Sequence, residues 1–170
     1  MSPMSSESRI TEFIGKYTPE VATTIVGCRE RLRALFPRGY ELVFDNYNAL
    51  VFGFAPSEKS SESFLSIAAY PRWVTLFFLN GATLRDPGKL LQGSGSQVRG
   101  IRLSTPDDLD RDGIKMLIAQ AISPIAGALN AAPPLETIVK LVSLKQRPRR
   151  PPVRSKSAKK PRMPQAQNDA

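Results

Sequence analysis

This sequence predicts an α+β fold with two layers: an antiparallel sheet of about five to six strands packed against helices from both ends of the domain. Three observations carry that expectation. Apolar residues recur at helical spacing near the start of the chain and again after residue 105. Between those stretches lie short runs rich in Val, Leu, Phe, Ile and Tyr, each bounded by turn residues. The connections between successive runs are too short for the crossover that a parallel pair needs, so consecutive strands should be antiparallel.

Taken in order, Ile10, Phe13, Ile14 and Tyr17 mark a short amphipathic helix over Glu7 to Tyr17. Thr18-Pro19-Glu20 opens a second helix, with Thr18 as N-cap and Pro19 in the first turn. Its stripe is Val21, Ile25, Cys28, Leu32 and Leu35, and Pro37-Arg38-Gly39 stops it. Strands are expected at Tyr40 to Phe44, Ala49 to Ala55, Ser63 to Tyr70, Trp73 to Leu79 and Val98 to Leu103. Asp86 to Leu91 reads as one helical turn, broken by the glycines Gly93 and Gly95. Thr105-Pro106-Asp107-Asp108 starts a further helix, whose stripe is Ile114, Leu117, Ile118, Ala121, Ile122 and Ile125. Thr137 to Leu144 fits either periodicity, and its β-branched content favours a last strand.

Charge divides the chain more sharply than hydropathy does. The 170 residues carry a formal net charge of +9. Residues 1–139 hold 14 basic and 14 acidic side chains, whereas residues 140–170 hold 10 basic and one acidic. The expected organisation is therefore a neutral α+β domain over 1–130, a linker with the last strand over 131–145, and a basic, proline-rich tail over 146–170. With so little to bury, that tail should be disordered. The absence of His removes Ser-His and Cys-His catalysis and imidazole metal sites. A single cysteine allows no internal disulfide and no cysteine-cluster zinc site. The longest apolar stretches are read as Asn48 to Pro56 and Trp73 to Leu79, both far short of the ~20 residues of a membrane helix, and the first residues are polar, so a cytoplasmic location without a membrane is expected.

Three blocks resemble one family in their order and spacing. These are Phe44-Asp45-Asn46-Tyr47-Asn48-Ala49-Leu50-Val51-Phe52-Gly53-Phe54, then Leu76-Phe77-Phe78-Leu79-Asn80-Gly81, and then Asp86-Pro87 with Leu90-Leu91-Gln92-Gly93-Ser94-Gly95-Ser96-Gln97-Val98-Arg99. Together they are similar to the YdhG-like family of bacterial domains over roughly Glu7 to Ile125. The resemblance implies a two-layer fold like that of secretion chaperones and no enzymatic role. One group of the family is described as frataxin-like iron chaperones, which makes iron carriage an alternative. No defined iron motif maps onto these residues, and the basic tail lies outside the resemblance.

Two sets of residues are candidates for binding. Asp45, Asn46, Tyr47 and Asn48 form a polar tetrad between two apolar strands. The simple account is a hairpin turn; the functional one is a pocket offering a carboxylate, two amides and a phenol. Arg99 follows the glycine loop, where backbone N–H groups and a guanidinium could meet an anion, although a helix stop and turn explains the same residues. If the ends of the sheet converge, Asn80 and Arg99 join the tetrad in one ligand site. The second set is the tail cations Arg147, Arg149, Arg150, Arg154, Lys159 and Lys160, expected to bind nucleic acid non-specifically by counterion release. Asp107, Asp108, Asp110 and Asp112 suit a helix start better than a metal. Trp73, Phe77 and Phe78 read as core or interface residues, and Cys28 as a small buried hydrophobe. The expected function is a non-enzymatic binding domain for a small polar or anionic ligand or a protein partner, without a cofactor, and with nucleic-acid association through the tail as the alternative.

Overall fold

In the computed structural model, which describes residues 4–153, helix α1 spans Ser6–Gly15 and α2 spans Pro19–Leu35. The Ser5 hydroxyl caps α1 by accepting from the Ser8 amide at 3.1 Å. Thr18 caps α2 by accepting from Val21, and Pro19 opens it. The buried stripe of α2 is Val21, Ile25, Cys28 and Leu32, the heptad-like spacing that the sequence presents.

A meander of five strands follows: β1 Tyr40–Asp45, β2 Leu50–Ala55, β3 Leu65–Ala69, β4 Val74–Phe78 and β5 Arg99–Leu103. All four consecutive pairs are antiparallel. After β5 a 3-10 turn, Pro106–Asp110, leads into α3, Asp112–Ile122. A short helix α4, Ala126–Ala131, precedes β6, Glu136–Val142. The complete sheet has six strands in the order β5-β4-β3-β2-β1-β6. β6 lies parallel to β1, with a register shift between Val43 and Phe44. The sheet is thus mixed. The helices between β5 and β6 supply the crossover length that the short loops of the meander lack.

One face of the sheet carries the core. Val43, Phe52, Ile67, Leu76 and Ile101 pack there against Ile10, Ile25, Leu32, Ile114 and Leu117 from the helices. Phe36 closes the far end of this layer, with its ring 5.1 Å from that of Phe64 and 5.5 Å from that of Phe54. Helix α2 reaches the turn after β5 closely: a Cβ on Gly27 would lie 2.5 Å from Cγ of Pro106. The helical run Asp112–Ala131 is long and apolar enough by composition to cross a bilayer. It is nevertheless interrupted by the 3-10 turn Ser123–Ile125, and Ile114, Leu117 and Ile118 are buried in the core.

One expected element is different in kind. Asp86 to Leu91 is a turn and not a helical turn. The Asp86 carboxylate accepts from the amides of Leu90 at 2.9 Å and Leu91 at 2.8 Å, and Lys89 takes φ 50°. An aspartate that bonds its own following amides offers the backbone an alternative to the helix.

Candidate functional site

The topology separates the residues expected to share a ligand site. The β1–β2 hairpin, with Asn46, Tyr47 and Asn48, lies at one end of the sheet beside the β3–β4 hairpin, Tyr70 to Trp73. Asn80 and Arg99 lie at the other end, because Phe78 pairs with Arg99 and Val74 with Leu103. Three inter-strand spacings of ~4.8 Å and a strand's length of ~13 Å place Arg99 roughly 20 Å from Tyr47. No small-ligand pocket spans that distance, so the shared site does not form. Arg99 instead secures its own loop, donating to the carbonyls of Gly95 at 2.5 Å and Val98 at 2.9 Å. Gly81 packs against it so tightly that a Cβ there would lie 2.5 Å from Cβ of Arg99. Asn80 is exposed, and its carbonyl accepts from Thr83.

Asp45 does not line a pocket either. It is fully buried, and its carboxylate accepts from Lys16 at 3.0 Å and from Arg149 at 2.9 Å. Burial pushes the Asp45 carboxyl up, but the bonds from Gln146, Lys16 and Arg149 outweigh it and hold the pKa below the ordinary aspartate range. Asn46 closes the hairpin by donating to Ala49 at 2.9 Å, and its carbonyl accepts from Arg149. Tyr47 and Asn48 are the members of the tetrad that reach the surface.

The Arg149 contact overturns the expected tail boundary. Beyond β6 the chain continues past the hairpin as a strap. Ser143 donates to the carbonyl of Asp45 at 2.9 Å, the Arg147 amide to that of Tyr47 at 2.8 Å, and Arg150 Nε to that of Lys16 at 3.1 Å. Residues 146–150 are therefore bonded to the hairpin and the end of α1. Arg149, only 4% exposed, is a buried structural cation and not a nucleic-acid contact. Composition reflects apolar burial alone, whereas a buried carboxylate also needs a partner. Arg147 and Arg150 remain exposed; Arg154, Lys159 and Lys160 lie outside the described residues.

The strap builds a concave surface with the β3–β4 hairpin. A cavity of about 640 Å³ is walled by Tyr70, Arg72 and Trp73 on one side and by Arg147, Arg150 and three prolines of the strap on the other, with Asn48 at its edge. No carboxylate lines it. A second cavity, about 510 Å³, shares Arg72 and Trp73 and adds Arg102, Ser104, Thr24 and one acid, Glu20. Trp73 stands between the two. Arg102 stacks over its ring at 4.0 Å, and the Tyr70 ring lies 5.7 Å from it, tilted by 35°. Arg147 sits 5.5 Å above the Tyr47 ring. This end of the molecule therefore offers guanidinium donors and flat rings together.

Other reactive groups are committed elsewhere. Asp107 and Asp110 both pair with Arg31. Asp108 accepts from the amides of Ser104 at 2.7 Å and Thr105 at 3.3 Å, leaving the acidic cluster to neutralise an arginine and cap a turn. Among the described residues no three His, Cys, Asp or Glu side chains group as metal ligands. Burial pushes the Cys28 thiol and the Tyr17 phenol each up to about 12. Tyr17 is a structural bridge, donating to the carbonyl of Ala69 at 2.7 Å and accepting from the amide of Leu50 at 3.2 Å.

No family model, curated protein or solved structure matches this chain. The site therefore has to be read from its own geometry. Arg72 and Arg102 are not among the expected ligand residues, and Trp73, expected in the core or at the helix–sheet interface, lines both cavities. The signal that was present is the pair of compact segments Tyr70-Pro71-Arg72-Trp73 and Arg147-Pro148-Arg149-Arg150-Pro151-Pro152, each rich in arginine and rigid groups.

Proposed function

We propose that the protein is a non-enzymatic binding domain for an anionic ligand, taken up where the β3–β4 hairpin meets the strap. The observation that carries this reading is the larger cavity: Arg72, Arg147 and Arg150 line it, with no acid among its walls. Guanidinium groups present planar forks of donors that suit phosphate and carboxylate oxygens. Kinship to the YdhG-like family is part of the same proposal. It is supported by the helix pair, the meander and the glycine loop closed by Arg99. A cytoplasmic setting fits a domain whose one cysteine is buried.

Trp73 is the only tryptophan in the chain, so its fluorescence reports on this site alone. Titration with inorganic tripolyphosphate at low salt should change that signal. Arg72→Ala and Arg147→Ala should each weaken binding about tenfold, the scale of one charge-assisted hydrogen bond. No binding, or equal binding by both variants and the parent, would overturn the assignment.

A further inference from the structure

We infer that the anionic ligand of this site is single-stranded nucleic acid, held by its phosphates on the arginines and by its bases on the rings of the same surface. The inference rests on the anionic-ligand reading above and adds the ligand class. Three features carry it. First, the two cavities share Arg72 and Trp73, so together they form one extended track across the end of the sheet with Trp73 at its middle. An extended track suits a chain-like ligand better than a compact one. Secondly, cations and flat rings occur together at this end of the sheet. Arg102 lies over Trp73 and Tyr70 stands beside it within the track, and Arg147, which lines the larger cavity, lies over Tyr47, a ring outside the cavity lining that is 44% exposed. A simple phosphate needs only the cations, whereas a strand with unstacked bases uses both. Thirdly, polar groups that could read base edges are scarce: Asn48 is the only amide lining the larger cavity. Such a surface binds with little sequence preference, and a duplex, whose base faces are already stacked, cannot use its rings. Beyond Val153 the sequence adds five more basic residues and one acid, so the chain as a whole carries more positive charge than the described residues do.

The test uses the full chain with a fluorescently labelled 12-nucleotide oligothymidylate, the matching duplex and unlabelled tripolyphosphate. The single strand should quench Trp73 and bind more tightly than the duplex. Trp73→Leu should weaken it roughly tenfold, the loss of one stacking platform, while Trp73→Phe should bind within a few-fold of the parent. Circular dichroism checks that each variant is folded. Should Trp73→Leu fail to fold, the double variant Arg72→Ala/Arg147→Ala, which removes exposed cations, should lower affinity and shallow the salt dependence by about two phosphate contacts. Equal affinity for single strand and duplex, with no effect of the Trp73 or arginine variants, would mean binding by charge elsewhere and overturn the inference. Binding of tripolyphosphate as tight as that of the oligomer, without dependence on Trp73, would leave the anion site standing and remove the nucleic acid. Failure of both ligands would remove both readings.

Discussion

Two carboxylates on one strand, Glu41 and Asp45, are both fully buried beneath the helices, yet they are neutralised from different parts of the chain. Glu41 is served mostly by its neighbour α2. Arg29 forks onto it with two bonds of 2.8 Å, Arg33 donates at 3.0 Å, and the Thr137 hydroxyl of β6 donates at 2.8 Å. Glu7 of α1 accepts from Nη1 of Arg29 at 3.0 Å and from Nη2, which also serves Glu41, at 2.7 Å. Burial works against the Arg29 charge, but the bonds to Glu41 and Glu7 prevail and raise its pKa above the ordinary value. Asp45 takes one cation from the end of α1, Lys16, and the other from Arg149, 104 residues away. The first cluster ties helices to sheet within the folded layer. The second clamps a strap across the end of the sheet and so builds the wall of the candidate binding site.

Removing a cation from each cluster breaks this comparison most directly. Arg29→Ala should cost the most, ~3–5 kcal/mol in urea unfolding, because it strips a buried carboxylate of its bidentate partner and releases Glu7 as well. Arg149→Ala should cost less, ~3 kcal/mol, since Arg149 makes one bond to its carboxylate where Arg29 makes two to Glu41 and two more to Glu7. A chain ending at Lys145 should be destabilised at least as much. A loss below ~1 kcal/mol in either would show that the strap rests on the surface without holding it. Only the second cluster is tied to the site, so at a urea concentration where both variants remain folded, Arg149→Ala should also weaken tripolyphosphate binding while Arg29→Ala should not.

Acid titration sharpens the contrast with a smaller effect. The Asp45 carboxyl is held below its ordinary value of 3.8. Glu7 is held below 4.5, chiefly by its hydrogen bond from Arg29. A carboxyl with a depressed folded pKa contributes stability that is present above its unfolded value and is lost as pH falls through the folded one. The parent protein should therefore lose stability progressively from about pH 5 downward. Asp45→Asn should flatten part of that slope at the expense of stability at neutral pH. An unchanged slope would mean that Asp45 carries no net linkage.

Much of the scaffold could be read from local chemistry. Ser5 and Thr18 cap their helices, and β4 alternates between buried and half-buried positions, while β2 and β3, in the middle of the sheet, are buried at nearly every position. The exception within the meander, Asp86, has a side chain that captures the two amides a helical turn would have used. The candidate site was legible only in fragments. Tyr47, Arg147 and Arg150 were recognised as candidates but assigned to two separate sites. Arg99 looked like an anion ligand and is a loop clasp. Trp73 is expected in the core or at the helix–sheet interface, but it directly precedes β4, where the sheet ends and the cavities begin.

The amino-acid sequence by itself determined the elements, the antiparallel meander and the division between a neutral body and a basic end. Each follows from interactions among residues close in the chain: caps, turns, periodicity and short connections. Only the tertiary structure decided which end of the sheet each loop occupies, that β6 returns parallel to β1, and that Arg149 belongs inside the domain. Those outcomes depend on contacts separated by up to 104 residues. A buried carboxylate such as Asp45 will take its counter-charge from whichever part of the chain the folded layer brings near, and no local pattern records that choice.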